Sequence, residues 1–179
     1  MKSPIQKTFE QAEKLLSVDK RTLSAFRKRI AKNKTYLKSE GVDDHFCVGV
    51  LVLNKHRRKM FVGHHIKSDS WMGAGGHMEE GESPLQTVVR ECKEELGLTV
   101  ERATLFDLTH FDDVNRKGCA QHYDFSYRVD LDSLPSLTAD IGEFHEADWY
   151  SFGDVLKKKL LPKYRTSLMR VFEDIDAGR

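Results

Sequence analysis

The sequence has few cysteines and no long apolar run, and both absences narrow the kind of protein it encodes. Three cysteines occur among 179 residues, at positions 47, 92 and 119, and no two of them have the spacing of zinc ligands. The longest apolar run, Phe46 to Leu53, is far too short to cross a bilayer. The first residues lead into a polar segment without the apolar core of a signal peptide. We therefore expect a cytoplasmic protein in which Cys47 and Cys92 are small buried residues.

A strong net charge is also absent, although the charges are unevenly distributed. The formal net charge is +1, but residues 1–40 carry eleven Lys or Arg against four acidic residues. The remainder of the chain carries 18 basic and 24 acidic residues. A basic arm of this kind could bind RNA or an acidic partner, yet a solvated helical face that docks on its own domain is the more ordinary explanation. We therefore expect neither nucleic-acid binding nor membrane binding.

The length and the apolar pattern predict one main domain with an N-terminal extension. Internal repeats and low-complexity segments are absent, and 39% hydrophobic residues suffice for a core. Two helices are predicted at 5–16 and 21–37, so residues 1–40 form a helical extension and residues 41–179 the main domain. The extension could be a lid, a brace or the contact surface of a homodimer, and the sequence does not choose among these roles.

The main domain interleaves predicted strands with helices. Runs of apolar and β-branched residues predict the strands, and apolar positions spaced by three and four predict the helices. The predicted strands cover residues 45–54, 59–66, 71–78, 99–111, 121–131 and 147–150; the helices cover 84–96, 152–159 and 162–175. This order predicts an α/β fold in which a mixed sheet is covered by helices on both faces.

The most informative stretch runs from Gly75 to Leu98 and reads GGHMEEGESPLQTVVRECKEELGL. Ser83 and Gln86 are placed as a capping box, with proline at the first helical position between them. Gly97 is a typical residue to close the last turn. Five apolar residues between these signals predict a stripe that packs inward: Leu85, Val88, Val89, Cys92 and Leu96.

Three glutamates of the same helix predict a cation site. Glu91, Glu94 and Glu95 are three and four positions apart, so their side chains emerge on one face and repel one another. A hard divalent cation relieves this repulsion, and magnesium combines one or two carboxylates with waters and substrate phosphates. Arg90 could neutralise or orient a carboxylate, Glu82 included. The Gly75-Gly76 turn would let a main-chain carbonyl approach the ion.

The spacing of these residues matches a known motif. Gly76, Glu82 and the run from Arg90 to Leu98 occupy every fixed position of the Nudix box, so the chain resembles the Nudix hydrolases over about residues 44–174. Trp71 and Trp149 resemble family landmarks, whereas Ala74 stands where the family often has proline. The resemblance implies an α/β/α sandwich and the hydrolysis of a nucleoside diphosphate-linked compound by metal-activated water.

The resemblance also implies which residues act. Magnesium, with manganese as an alternative, would be held by the Gly75 carbonyl and by Glu91, Glu94 and Glu95. The general base would be Glu91 or Glu94, or Glu143, which lies six residues before Trp149; Glu146 is a weaker choice. Arg90 completes the catalytic set. The candidates for substrate binding are Trp71, which could equally be a packing residue, and His77.

The substrate is indicated mainly by features that the sequence lacks. The ADP-ribose hydrolases of the family tend to have a proline after the box, and residues 99–134 of this chain contain none. The dinucleoside-polyphosphate hydrolases tend to have a tyrosine there, and residues 114–117 contain none. A small-molecule nucleotide, specifically a nucleoside triphosphate, is therefore the expected substrate. One alternative is a non-catalytic Nudix-fold module that senses a nucleotide. Another is an isoprenoid diphosphate isomerase that uses Cys47 or Cys119.

Overall fold

The computed structural model describes residues 2–15, 18–32, 34–35, 37–112 and 120–178. In chain order the elements are α1 (Pro4–Ala12), α2 (Lys20–Ala31), a 3-10 turn (Lys38–Glu40), β1 (Asp44–Asn54), β2 (Lys59–His65), β3 (Ser70–Met72), β4 (Ala74–His77), α3 (Pro84–Leu96), β5 (Thr104–Asp112), β6 (Gln121–Asp130), β7 (Phe144–Ser151), α4 (Phe152–Lys157) and α5 (Pro162–Asp176). Within these ranges no helix has both the length and the apolar character needed to span a membrane. The predicted α/β class is confirmed.

Within the part of the chain that the structure describes, the strands form a seven-stranded mixed sheet organised around β1. The strand order is β3-β2-β1-β6-β5, with β4 paired to β1 and β7 paired to β2. Strand β2 runs antiparallel to β1, β3 and β7, and places Phe61 opposite Val52 on one side and Trp149 on the other. β1 is buried along most of its length, as expected of an apolar strand with neighbours on both edges.

The chain is divided into two compact units. The first contains Met1–Gly49, Gly75–Arg90 and Thr104–Tyr127, and the second contains Val50–Ala74, Glu91–Ala103 and Arg128–Arg179. The first unit therefore includes the N-terminal helices together with the glycine-containing loop before α3. The second includes the last two turns of α3 and both C-terminal helices.

Aromatic packing builds the core of the first unit. Phe26 of α2 is fully buried and lies parallel to Phe9 of α1, with 6.1 Å between ring centroids. Its ring meets Tyr123 and Phe125 of β6 edge to face, both at 5.3 Å, and Phe46 of β1 at 6.0 Å. The N-terminal helices thus contribute side chains to the same core as the strands.

A buried arginine explains why α2 is shorter than predicted. The Arg29 guanidinium donates hydrogen bonds to the carbonyls of Thr35 (2.6 Å) and Asp44 (3.0 Å), and Nε lies 3.0 Å from Asp44 Oδ2. These carbonyls belong to the segment that returns toward β1, so the chain leaves the helix at Ala31. The predicted end at residue 37 is therefore wrong.

Helix α1 also ends early, at Ala12 instead of residue 16. The next N–H groups, those of Lys14 and Leu15, donate to carbonyls three positions back, which tightens the chain into a 3-10 turn. Leu16 and Tyr36, which fall within the two predicted N-terminal helices, lie outside the described residues.

The second unit is built on β2, β7 and the C-terminal helices. Strand β7 is longer than the predicted 147–150, because its pairing with β2 continues to Phe144, which lies opposite His65. The Phe144 ring packs over Gly63, where a larger side chain would collide with it. The Gly73 N–H donates to the buried Tyr164 hydroxyl of α5 (2.7 Å), and the rings of Phe152 and Phe172 stack at 3.9 Å. Strand β5 begins at Thr104 and not at the predicted residue 99.

Candidate functional site

Helix α3 begins and ends as predicted. The Ser83 N–H donates to Gln86 Oε1 (2.8 Å), and the Gln86 N–H donates to Ser83 Oγ (3.3 Å), which completes the capping box. Gly97 adopts a left-handed conformation, so that the Leu98 N–H reaches the Cys92 carbonyl (3.0 Å). These caps determine which residues are helical and hence which face each glutamate occupies.

The inward face of α3 is polar as well as apolar. Val88, Cys92 and Leu96 are buried as predicted, but Leu85 and Val89 are 44% and 40% exposed, so their predicted burial is wrong. Each lies one position, about 100° of rotation, from the buried stripe. That stripe is completed by polar residues and the first helical residue: Pro84, Thr87, Glu91 and Glu95.

Glu91 and Glu95 are nearly buried, and Glu94 is exposed. Each of the first two is 7% exposed, and they are one helical turn apart. Buried carboxylates are costly unless positive charge or hydrogen bonds stabilise them. Because carboxylate oxygens are hard donors, this set fits a hard divalent cation such as Mg²⁺.

The charge on this turn is reflected in the chemistry of Cys92. Burial, followed by the negative charges of Glu95 and Glu91, raises the pKa of the Cys92 thiol to about 12. A thiol with this pKa remains protonated at neutral pH and is inert as a nucleophile.

In the first unit, Arg90 connects the loop after β4 to helix α3. Its Nε donates to Glu82 Oε1 (2.8 Å), and its Nη2 donates to Glu82 Oε2 (3.1 Å) and to the His77 carbonyl (2.9 Å). The Thr87 hydroxyl and the Glu79 N–H also donate to Glu82 Oε2, at 2.8 and 3.0 Å. Glu82 is thus a carboxylate that Arg90 neutralises, and the bidentate geometry holds both residues in place.

These hydrogen bonds determine the acidity of Glu82. Burial alone would raise its pKa, but the hydrogen bonds from Arg90, the Glu79 N–H and Thr87 outweigh burial and lower the pKa from 4.5 to about 2. A depressed folded-state pKa stabilises the protein fully above pH 4.5, and this stabilisation is lost as the pH falls toward 2.

We therefore expect Glu82→Gln to lower the free energy of unfolding at pH 7 by on the order of 2 kcal/mol, because Arg90 loses a charged partner. The variant should also lose less stability than wild type between pH 5 and pH 2.5. Urea unfolding at several pH values measures both effects. Glu80→Gln, at an exposed position of the same loop, is the matched control. Equal acid sensitivity of wild type and Glu82→Gln would contradict the role of this carboxylate.

Gly75 lies in β4 of the first unit. A Cβ at this position would collide with the Val48 carbonyl oxygen of β1, so the close approach of the two strands requires glycine. The three glutamates belong to the second unit. The predicted role of the Gly75 carbonyl as a metal ligand stays a prediction.

Glu143 is held by basic neighbours in the second unit. Its carboxylate accepts two hydrogen bonds from Lys67 Nζ, at 2.7 and 3.0 Å, and lies 3.3 Å from His65 Nε2. A general base here would have to act from within this ion pair. Its catalytic role stays a prediction.

Trp71 is contacted by side chains of its own unit. The His64 ring stacks on it at 5.5 Å, and Lys158 Nζ lies 3.2 Å from its ring centroid. The residue is only 9% exposed, so a nucleobase could stack on the ring only after a neighbour moves. Its substrate-binding role stays a prediction.

The side chain of His77 lies beside two residues that sequence reasoning did not connect with it. It is half-buried in the first unit, near Cys47 of β1 and His122 of β6. These three positions are far apart in the sequence and meet only through strand pairing, so no local motif could have revealed them. A substrate contact by His77 likewise stays a prediction.

Comparison with known proteins places this geometry in a family. A NUDIX domain model matches residues 43–171. A protein named RNA pyrophosphohydrolase from Hydrogenovibrio crunogenus is 43% identical over 51 residues, 28% of this chain and 30% of that protein. One named 8-oxo-dGTP diphosphatase from Proteus vulgaris is 34% identical over 71 residues, 38% of this chain and 62% of that protein. The similarity therefore spans less than two thirds of the length of either relative.

The fold is shared with solved structures. A hydrolase of the NUDIX family from Clostridium perfringens superposes with a TM-score of 0.57 at 24% identity, covering 77% of this chain and all of that one. The family model extends from β1 into α5 and covers well over half of the sequence. The chain therefore belongs to the Nudix family of hydrolases, as the spacing from Gly76 to Leu98 predicted.

Proposed function

We propose that this protein hydrolyses the pyrophosphate bond of a nucleoside diphosphate-linked compound, with a nucleoside triphosphate as substrate and Mg²⁺ as cofactor. The observation that carries the proposal is the complete Nudix box, in which α3 presents two nearly buried glutamates one turn apart and a third that is exposed. The names of both curated relatives describe phosphate-bond hydrolysis, and that of the Proteus vulgaris relative specifies a nucleoside triphosphate.

The residues that would hold the cation are Glu91, Glu94 and Glu95, joined by the Gly75 carbonyl that the family resemblance implies. When bound, Mg²⁺ neutralises phosphate charge and lowers the pKa of a coordinated water. Mn²⁺ accepts the same oxygen donors and is the expected substitute.

The roles of the chain's own residues follow from their exposure and contacts. Glu94 is exposed and therefore accessible to substrate and water, so we assign it first among the candidate general bases, ahead of the more buried Glu91. Glu143 remains a candidate that would act from its ion pair with Lys67. Arg90 acts through Glu82 and the His77 carbonyl, and it is therefore a positioning residue. Attack by water on phosphorus requires no protein nucleophile.

His77 is the stronger of the two candidate residues for substrate binding. His77 is half-buried next to the Arg90 contact, so its side chain can approach a phosphate or a base, whereas Trp71 is already covered.

We place the reaction in the reducing cytoplasm, because Cys47 and Cys92 are buried thiols and not disulfide partners. Whether the N-terminal helices also support a homodimer is a separate proposal that size measurements in solution would test.

A phosphate-release screen tests the proposed function. The protein is incubated with nucleoside triphosphates, sugar nucleotides and dinucleotides in the presence of Mg²⁺. We expect turnover of at least one nucleoside triphosphate, its loss on chelation with EDTA and its recovery on adding Mg²⁺ or Mn²⁺. Tight nucleotide binding without turnover would instead support a nucleotide-sensing module. Interconversion of isoprenoid diphosphates, lost on replacing Cys47 or Cys119, would support the isomerase alternative.

A further inference from the structure

We propose that Cys47, His77 and His122 form a second metal site, one that takes a borderline-soft divalent ion such as Zn²⁺. All three residues belong to the first unit. The Cys47 sulfur and one ring nitrogen from each histidine lie within 4.8 Å of one another. The donor set differs from the carboxylates of α3 and shares no side chain with them.

The strands bring these three residues together. Cys47 lies on β1, which pairs with β4 and is the neighbour of β6 in the sheet. His77 is the last residue of β4 and His122 is the second residue of β6, so these two neighbours of β1 each bring a histidine toward the cysteine. The Met78 N–H donates to the Phe46 carbonyl (3.1 Å), which anchors the backbone next to both His77 and Cys47. Ligands carried by paired strands are held more precisely than ligands on loops.

The separation of the donor atoms suits an ion of this size. A tetrahedral zinc ion with bonds of about 2.3 Å to sulfur and about 2.0 Å to nitrogen places its ligand atoms roughly 3.3–3.6 Å apart. Because the observed separations do not exceed 4.8 Å, closure requires movements of about 1 Å, which small side-chain rotations provide.

The chemistry of the donors selects the ion. A thiolate and two imidazoles favour zinc, cobalt or copper over magnesium, whereas the glutamates of α3 favour magnesium. Three protein ligands leave a fourth position for water or another ligand. His77 and His122 are half-buried, which leaves a path for the ion, while Cys47 is buried.

A third histidine supports the arrangement. His45 is fully buried two residues before Cys47, and its ring meets that of His77 edge to face at 4.8 Å and that of His122 at 5.9 Å. It therefore restricts the rotamers open to both candidate ligands.

Cobalt spectroscopy on the full-length protein tests the site without relying on activity. The protein is treated with chelator and titrated with Co²⁺ in excess Mg²⁺, so that the carboxylate set is saturated. We expect one equivalent of tetrahedral Co²⁺, with a thiolate-to-cobalt charge-transfer band in the near ultraviolet, and its displacement by Zn²⁺. Cys47→Ser should abolish the charge-transfer band, and His122→Gln should weaken Co²⁺ binding at least tenfold.

Matched variants make the result specific. Cys92→Ser, at the buried cysteine of α3, and Cys119→Ser should leave the charge-transfer band unchanged. Zn²⁺ should raise the melting temperature of the wild type but not that of His122→Gln, in which the substituted position is half-buried. Absence of the band in the wild type, or its persistence in Cys47→Ser, would overturn the proposal.

Zn²⁺ bound at the Cys47, His77 and His122 site should also affect activity, an expectation that rests on the proposed function. If His77 contacts the substrate, Zn²⁺ bound through His77 competes with it, so Zn²⁺ should inhibit wild type more strongly than His122→Gln. Equal inhibition of the two proteins, with the cobalt spectrum intact, would count against the substrate role of His77 and leave the metal site supported.

Discussion

Replacing Glu94 with glutamine should lower the proposed pyrophosphohydrolase activity by about 10²–10³-fold without destabilising the protein. Glutamine has nearly the same shape but no negative charge, so it weakens cation binding and cannot accept a proton from water. Glu94 is exposed, and a change at its position leaves the buried stripe of α3 intact. The turnover number and KM, measured at saturating Mg²⁺ alongside thermal unfolding, test both parts of this expectation.

The neighbouring carboxylates provide the comparisons for this experiment. Glu101→Gln, an exposed position shortly after α3, should retain wild-type activity. Glu91→Gln and Glu95→Gln should require a higher Mg²⁺ concentration for half-maximal activity, since both carboxylates belong to the proposed ligand set. Glu143→Gln distinguishes the candidate bases: a loss as large as that of Glu94→Gln, with the acidic limb of the pH profile removed, would assign the base to Glu143. Near-normal activity of Glu94→Gln would refute the proposed role of the glutamate set.

Helix α3 was predictable because its signals are local. The capping residues Ser83 and Gln86 and the terminator Gly97 act within a few positions, and all three work in the structure as the sequence indicates. The buried face of α3 was less predictable than its ends. It includes Glu91 and Glu95 and excludes Leu85 and Val89, although apolar spacing alone favours the reverse. Apolar periodicity cannot anticipate buried carboxylates.

Features that depend on distant segments were not predictable. The end of α2 follows in part from the hydrogen bond that Arg29 donates to the Asp44 carbonyl, 15 positions further along the chain and outside a short window around Ala31. The approach of Cys47 to His77 and His122 follows from the strand order. Propensity describes neighbours along the chain, whereas these contacts come from tertiary packing.

The class of reaction was predictable from a local motif, whereas the identity of the substrate was not. The residues of the Nudix box are suited to a cation and a pyrophosphate, which all substrates of such an enzyme share, so the box indicates the chemistry and not the base or sugar. Selectivity has to come from side chains elsewhere in the fold, because function depends on sites that differ among proteins of one architecture.

Phe26→Ala should lower the free energy of unfolding by about 3–5 kcal/mol, which is the usual cost of removing a buried phenylalanine. The ring is fully buried and contacts aromatic residues from α1, β1 and β6, namely Phe9, Phe46, Tyr123 and Phe125. Removing it therefore leaves a cavity where the N-terminal helices meet the strands. Urea unfolding followed by circular dichroism measures the change.

The control is Lys28→Ala, an exposed position on the same helix, which should alter stability by less than about 0.5 kcal/mol. The comparison decides whether residues 1–40 are an attached arm or part of the folded unit. An arm that docks weakly would make Phe26→Ala as mild as Lys28→Ala, and would produce a separate early transition for the helices. A single cooperative transition, shifted strongly by Phe26→Ala, is the expected result, because one aromatic core joins helices and strands and they must unfold together.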